Sequence, residues 1–320
     1  MDTQIPGIHH ITAITGDPQQ NIDFYMGVLG QRLIKKTVNF DDPGSYHFYF
    51  GDDLGHPGTI MTFFAWPGAP RGRQGAGQIN ATAYAVPAGA LDFWSARLRA
   101  HGVASTERGT RFGEEVLSFS DPDGLPLELI APLTADPRPG WAGGPIPAAY
   151  AIRGFHSATL WLRNAAASAA LLTEGMGFLL VGEEGQRARY AAADERAGAF
   201  VDLLVTPGAP AAYQAAGTVH HIAWRAADDA AQQAWRENLA RSGLNVTDVR
   251  DRQYFHSIYF REPGGVLYEI ATDPPGFAID ETPENLGTAL KLPPWLEPQR
   301  GAIERALPPV HLPVIDEVRG

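Results

Sequence analysis

The sequence predicts an α+β fold built from four tandem βαβββ modules, and three observations point there. An alternating apolar strand, a helix-spaced apolar stretch and further strands recur four times along the chain. Two histidine pairs open the first and last of these units, in Gly7-Ile8-His9-His10-Ile11-Thr12 and Gly217-Thr218-Val219-His220-His221-Ile222. The last unit then closes on a carboxylate, Glu269, flanked by Tyr268 and Ile270.

The first module begins with a strand around Ile8 to Ile14. Asp17-Pro18 supplies an N-cap and a proline at the first helical position, Ile22, Tyr25, Met26 and Leu29 follow at helical spacing, and Gly30 stops the helix. Strand-like runs at Arg32 to Val38, Tyr46 to Phe50 and Thr59 to Phe64 complete it, with turns at Asp52-Asp53 and His56-Pro57-Gly58. The second module has a strand from Gln78 to Val86, a helix from Gly89 to His101, and strands at Gly113 to Ser120 and Leu125 to Ala131. A linker rich in Pro, Gly and Ala, Ala131 to Ala151, separates two halves, 1–140 and 141–320. The third module starts at Gly154-Phe155-His156-Ser157, has a helix near Ala165 to Glu174 and ends at Ala199 to Val205. The fourth places its helix at Asp228 to Ser242. From Asp273 a proline-punctuated tail is expected to wrap the body as an extended arm.

The 320 residues are 44% hydrophobic, enough for two ordinary domains. With 25 Lys and Arg against 36 Asp and Glu, the net charge of -11 argues against nucleic acid or an anionic membrane as partner. No basic segment precedes an apolar run at the N-terminus, and no apolar stretch nears the roughly 18 residues that span a bilayer, so a cytoplasmic location is expected. Cysteine is absent. Any metal must therefore be held by His, Asp or Glu. Two imidazoles and one carboxylate, on strands that can close around one point, make an open-sided site suited to Fe(II), and also to Mn(II). Neighbours on a strand point to opposite faces, so spacing alone leaves open which histidine of each pair would bind.

Four βαβββ units in tandem resemble the vicinal-oxygen-chelate superfamily, the glyoxalase, bleomycin-resistance and extradiol-dioxygenase group. That resemblance implies paired modules whose curved sheets close into open, barrel-like cups around a metal, with one ligand slot on the first and one on the last strand of each module. Aligning the modules puts His10, Ala81, Ser157 and His221 in the first-strand slots, and Thr62, Glu128, Asp202 and Glu269 in the last-strand slots. Pairing in chain order leaves no cup with two histidines. Pairing modules 1 and 4 gathers His10, His221 and Glu269, with Thr62 in the fourth slot, so modules 1+4 and 2+3 are expected to pair.

Further segments sharpen the likeness: Ile8 to Thr12, Phe24 to Arg32, Gly109 to Gly113, Arg153 to Ser157, Val181 to Gly185 and Pro263 to Val266 are similar to the hydroquinone 1,2-dioxygenases. That family implies an Fe(II)-dependent opening of a substituted hydroquinone with O2, with His10, His221 and Glu269 on the metal. It also implies active-site roles for His9, Thr12, His220, Arg252 and Tyr259, and frequent homo-oligomers. One departure is that these enzymes carry a histidine shortly after the glutamate, where this chain reads Ile270-Ala271-Thr272-Asp273. Blander roles are an ion pair of Arg252 with Asp248 or Asp251, an aromatic core position for Tyr259 and a hydrogen-bonded core position for His156. Phe155, Trp224, Tyr254 and Phe255 are candidates for the apolar pocket wall. The rival functions are a catechol-cleaving dioxygenase, a glyoxalase-like metal lyase and a non-catalytic small-molecule binding protein; Thr62 in the fourth slot speaks against the lyase.

Overall fold

The computed structural model describes residues 4–192, 196 and 198–313. Its sixteen strands form two eight-stranded sheets, and the modules pair as 1+4 and 2+3. Module 1 contributes β1 (Ile8–Thr15), β2 (Arg32–Asn39), β3 (Asp42–Gly51) and β4 (Ile60–Ala65). Module 4 contributes β13 (Val219–Ala226), β14 (Arg250–Asp251), β15 (Phe255–Arg261) and β16 (Leu267–Pro275). The second sheet holds β5 (Gln78–Ala85), β6 (Gly109–Arg111), β7 (Glu114–Ser120) and β8 (Pro126–Ala131) from module 2. Module 3 adds β9 (Gly154–Leu162), β10 (Leu179–Glu184), β11 (Arg187–Ala191) and β12 (Phe200–Val205). In each sheet the two first strands meet antiparallel at the centre, β1 on β13 and β5 on β9, and each also pairs in parallel with its module's last strand. First-strand and last-strand side chains of two modules are thereby brought to the floor of one cup.

Local chemistry explains the elements. The Asp17 side chain accepts from the Gln19 and Gln20 amides and Pro18 opens α1 (Pro18–Ile22), which widens into a π turn over Asp23–Val28 before Gly30 ends it at φ 68°. The other helices are α2 (Leu91–Ala100), α3 (Ala166–Ala170), α4 (Asp229–Arg241) and α5 (Arg300–Ala306). Trp94 and Leu98 of α2, and Trp235 and Leu239 of α4, seal the outer faces of the sheets as buried core. Gly217, at φ 79°, leads into β13; a Cβ there would collide with the Asp123 carbonyl, so the turn that launches His220 and His221 requires glycine.

Two features depart from the sequence expectation. β6, β10 and β11 are additional strands that make every module a full βαβββ unit. The tail is more than an extended arm: it contains short 3-10 turns at Phe277–Ile279, Pro283–Asn285 and Glu297–Gln299 before α5. Its end, 314–320, and residues 1–3 lie outside the described residues. The tail is pinned by Lys35, a fully buried ammonium on β2 held at 2.6 Å by Asp280 and 2.5 Å by Glu281. No helix among the described residues is long and apolar enough to cross a membrane.

Candidate metal centre

His10 on β1, His221 on β13 and Glu269 on β16 converge, all three buried. The His10 and His221 Nε2 atoms are 3.4 Å apart, and Glu269 Oε2 lies 3.4 Å from the first and 2.9 Å from the second. Donors about 2.1 Å from a shared ion, at angles between octahedral and tetrahedral, stand about 3.0–3.4 Å apart. The triangle fits a metal ion. Glu269 Oε2 is moreover buried without a hydrogen bond of good geometry, despite the nearby imidazoles, while Oε1 accepts from Ser257 Oγ at 2.5 Å. A buried, unpartnered carboxylate oxygen facing two imidazole nitrogens is costly unless a cation completes it. Burial works to raise the Glu269 pKa, but His10 and His221 outweigh it and hold the carboxyl well below the usual range, which keeps it anionic.

The first histidine of each pair owes its position to a β-bulge. In the β1–β13 register Ile8 faces Trp224 and His10 faces Ala223, so His9 is an extra residue; Thr12 faces His221 and Ala13 faces Val219, so His220 is another. A bulge breaks the strict alternation of faces and re-aims a side chain. Both adjacent rings therefore touch: His9 Nδ1 is 2.9 Å from His10 Nδ1, and His220 Nδ1 is 2.8 Å from His221 Nδ1. A metal held by the two Nε2 atoms would need their lone pairs, and His10 and His221 would then carry their protons on Nδ1 and donate them to these partners. His9 then presents its Nε2–H to the Thr272 carbonyl at 3.2 Å, behind the cavity rather than in its wall. His220 has no such anchor: its Nε2 hydrogen-bonds no described residue, and its ring lines the cavity. Burial, with His221 beside it, lowers the His220 pKa to about 3.

A cavity of about 370 Å³ opens over the triangle. Thr12, Arg252 and Tyr259 line it with His10, His220, His221 and Glu269. Arg252 Nε donates to Tyr259 Oη at 3.2 Å, and its other arm meets Asp41 at 3.0 Å rather than Asp248 or Asp251; Asp248 pairs with Arg236 instead. Of the four apolar candidates only Phe255 reaches the cavity. Phe155 stacks on Tyr84, Trp224 packs against Phe178 and Tyr268, and Tyr254 stacks on Phe277, all fully buried core. Phe40, Phe64 and Trp66 supply more of the aromatic wall, and His47 and Tyr49 on β3 also face the cavity. Of these, His47 and Tyr49 had one signal in the sequence, the period-2 pattern that puts them on one face of β3.

The middle sheet repeats the geometry with different chemistry. Its bulges fall at Asn80 and His156. His156 is a buried, hydrogen-bonded residue as expected, 3.1 Å from Glu114 and 3.0 Å from Ser157 Oγ. The slot carboxylates each meet arginine: Glu128 takes both arms of Arg111 at 2.7 and 2.8 Å, and Asp202 takes Arg189 at 2.8 Å and Arg187 at 3.1 Å. A further grouping, Asp52, Asp53 and His56, is exposed or half-exposed, and Asp52 is already spent on the Leu54, Gly55 and His56 amides of its own turn.

Comparison with known proteins bears on the fold that carries these residues. The profile of the Glyoxalase/Bleomycin resistance protein/Dioxygenase superfamily matches residues 7–129 and again 154–270. A Bacillus subtilis (strain 168) protein named "Putative ring-cleaving dioxygenase MhqO" is 51% identical over 97% of this chain and 98% of its own. The "Chlorohydroquinone/hydroquinone 1,2-dioxygenase" of Sphingobium indicum is 38% identical over 95% of this chain and 96% of its own. A crystal structure of a Bacillus subtilis protein titled a putative dioxygenase superposes with a TM-score of 0.92 at 50% identity, covering 97% of this chain and 99% of that one. Glyoxalase I from Zea mays shares the fold at a TM-score of 0.62 and 16% identity, over 83% of this chain and 92% of that one. The repeated module, the cup it closes and these likenesses along nearly the whole chain agree: the chain belongs to the glyoxalase/bleomycin resistance protein/dioxygenase superfamily.

Proposed function

We propose that the chain is a ring-cleaving dioxygenase that opens a hydroquinone by 1,2-cleavage, with O2 as co-substrate and Fe(II) held by His10, His221 and Glu269. The observation that carries this reading is the unpartnered Glu269 oxygen, set in a triangle of donors whose fourth side is a threonine wall rather than a fourth ligand. When bound, the ion supplies open positions for one substrate hydroxyl and for O2 and acts as Lewis acid and template; Mn(II) suits the same donors.

The remaining chemistry belongs to side chains. His220, with its Nδ1 occupied by the His221 proton, carries its own proton on Nε2 at the cavity wall and is the group placed to pass it to a reacting oxygen. Tyr259 accepts from Arg252, which leaves its phenolic proton free to donate; burial, reinforced by Glu269, raises its pKa and keeps that proton in place. Arg252, held cationic by Tyr259 and Asp41 against the effect of burial, offers charge-assisted bonds to a phenolate. Phe64, Trp66 and Phe255 would offer an aromatic ring apolar surface to pack against. A glyoxalase-like lyase fits less well, because Thr62 spends its hydroxyl on Thr12 and His47.

The test is anaerobic reconstitution with Fe(II) followed by oxygen-electrode and absorbance assays with hydroquinone, methylhydroquinone, chlorinated hydroquinones and catechol. Stoichiometric oxygen uptake with a ring-opened product from a hydroquinone is expected. Uptake with catechol alone overturns the substrate class, and no uptake with any diol despite tight iron binding overturns the dioxygenase reading.

A further inference from the structure

Four hydroxyl and imidazole groups are linked in succession beside the cavity. Tyr49 Oη is 3.0 Å from His47 Nδ1, His47 Nε2 is 2.8 Å from Thr62 Oγ1, and Thr62 Oγ1 is 2.9 Å from Thr12 Oγ1. We propose that Tyr49, His47 and Thr62 are positioning residues for ring opening: they form a hydrogen-bond chain of fixed sense that makes the Thr12 hydroxyl a donor into the cavity.

The sense follows from the internal repeat and from counting protons. Among the described residues the Tyr49 hydroxyl meets His47, and the Tyr49 ring is packed by Tyr254, Phe255 and Phe277 while it also lines the cavity. At the equivalent position of module 4, Ser257 donates to its slot residue Glu269. The same sense in module 1 has His47 donate from Nε2 to Thr62, which leaves Nδ1 to accept the Tyr49 proton. Neutral imidazole has one N–H, which then sits on Nε2 and is donated to Thr62. Burial, together with the facing His10 and His221, depresses His47 and keeps it neutral. Thr62, having accepted from His47, gives its own proton to Thr12. The Thr12 proton has no acceptor among the described residues, and Thr12 lines the cavity.

Internal symmetry supports the arrangement. Tyr49 pairs with Thr62 as Tyr259 pairs with Glu269, so His47 corresponds to Ser257, two residues before each tyrosine. Ser257 donates to the slot residue Glu269 just as His47 donates to the slot residue Thr62. In module 2 the matching positions are Val116, Ser118, Glu128 and Ala83, and no such chain can form.

The inference rests on the dioxygenase reading, and its test separates the two. Imidazole ¹⁵N NMR of the full-length zinc-loaded protein is expected to show His47 as the Nε2–H tautomer; an Nδ1–H tautomer reverses the chain and overturns the proposal whatever the activity. In oxygen uptake with hydroquinone, Thr62→Val and Tyr49→Phe are expected to lower kcat about tenfold with KM within about twofold, and Thr62→Ser to restore it. Thr12→Val/Thr62→Val should be no slower than Thr12→Val alone, because Thr62 acts only through Thr12. Losses that multiply in the double variant overturn the chain. A wild type that consumes no oxygen with any diol overturns the dioxygenase reading, while the tautomer still decides the chain.

Discussion

The two cups share strand order, paired first strands and bulges, yet treat a buried carboxylate in opposite ways. In the middle cup the slot residues Glu128 and Asp202 are neutralised by Arg111, Arg187 and Arg189, and Arg189 continues to Glu114 at 2.6 Å, which in turn holds His156. In the outer cup Glu269 faces the His10 and His221 imidazoles and the Ser257 hydroxyl, and one of its oxygens is left without a hydrogen bond. The difference teaches how a duplicated module is divided between tasks. Where guanidinium supplies the positive charge, the protein itself neutralises both slot carboxylates. Where the protein withholds it, a buried carboxylate oxygen is left that a cation would complete.

The sharpest way to break this contrast is to remove one ligand and its counterpart. His221→Ala is expected to abolish iron retention and lower oxygen uptake with hydroquinone more than about a thousandfold. Ser157→Ala, at the equivalent slot of the middle cup, should leave iron content and uptake unchanged. Iron content measured by metal analysis after desalting decides between them; a His221→Ala protein that keeps stoichiometric iron would show that the triangle is not the binding site.

The next effect belongs to the middle cup. Asp202 is fully buried and shared by two arginines, so Asp202→Ala leaves buried guanidinium charge uncompensated. A loss of about 3–5 kcal/mol is expected in denaturant unfolding, with iron bound per folded chain unchanged. A change below about 1 kcal/mol would mean that water reaches these arginines.

What the sequence disclosed follows the same division. The slots were legible because the repeats align, and alignment of Ala81 and Ser157 with His10 and His221 showed which modules had to pair. The bulges were not legible, since an extra residue in a strand has no side-chain signature of its own; without them His9 and His10 had to be rivals rather than partners. β10 was missed because Leu179–Glu184 is largely exposed and carries no alternation of apolar and polar residues. The arginine partners of Glu128 and Asp202, and the pairing of Arg252 with Asp41 across the sheet, depend on register between strands and could not be read from spacing along one. Trp224 and Phe155 were offered as pocket wall because aromatic character alone does not say which face of a strand is the cup.

The bulged histidines allow a finer test of the outer cup itself. His9 and His220 perform the same orienting task on their neighbours, but only His220 also faces the cavity. His9→Phe and His220→Phe are both expected to weaken iron binding about 10–100-fold, as loss of a partner that orients a ligand does. At saturating iron, His9→Phe should recover most of its kcat and His220→Phe should not, because a proton donor is missing as well. Equal recovery in both would remove His220 from the chemistry.

The last test concerns acid stability of the metal-free protein, where His220 of the outer cup and Glu114 of the middle cup should titrate in different pH windows. Burial, with His221 beside it, lowers the His220 pKa to about 3 from the ordinary imidazole value of 6.5. The unfolded chain therefore binds the extra proton first, so this contribution is present above about pH 6.5 and is lost as pH falls toward 3. Glu114 lies at about 2 against 4.5: burial raises it, but His156 and Arg189 overcome that. Its contribution is present above about pH 4.5 and is lost only as pH falls toward 2. Denaturant midpoints measured from pH 7.5 to 3 should thus decline in two stages, each proton changing stability by about 1.4 kcal/mol per pH unit. His220→Gln should flatten the upper stage by one proton and leave the lower, and Glu114→Gln should do the reverse. If both substitutions flatten the same stage, the two cups titrate as one unit and the division of labour between them does not extend to their electrostatics.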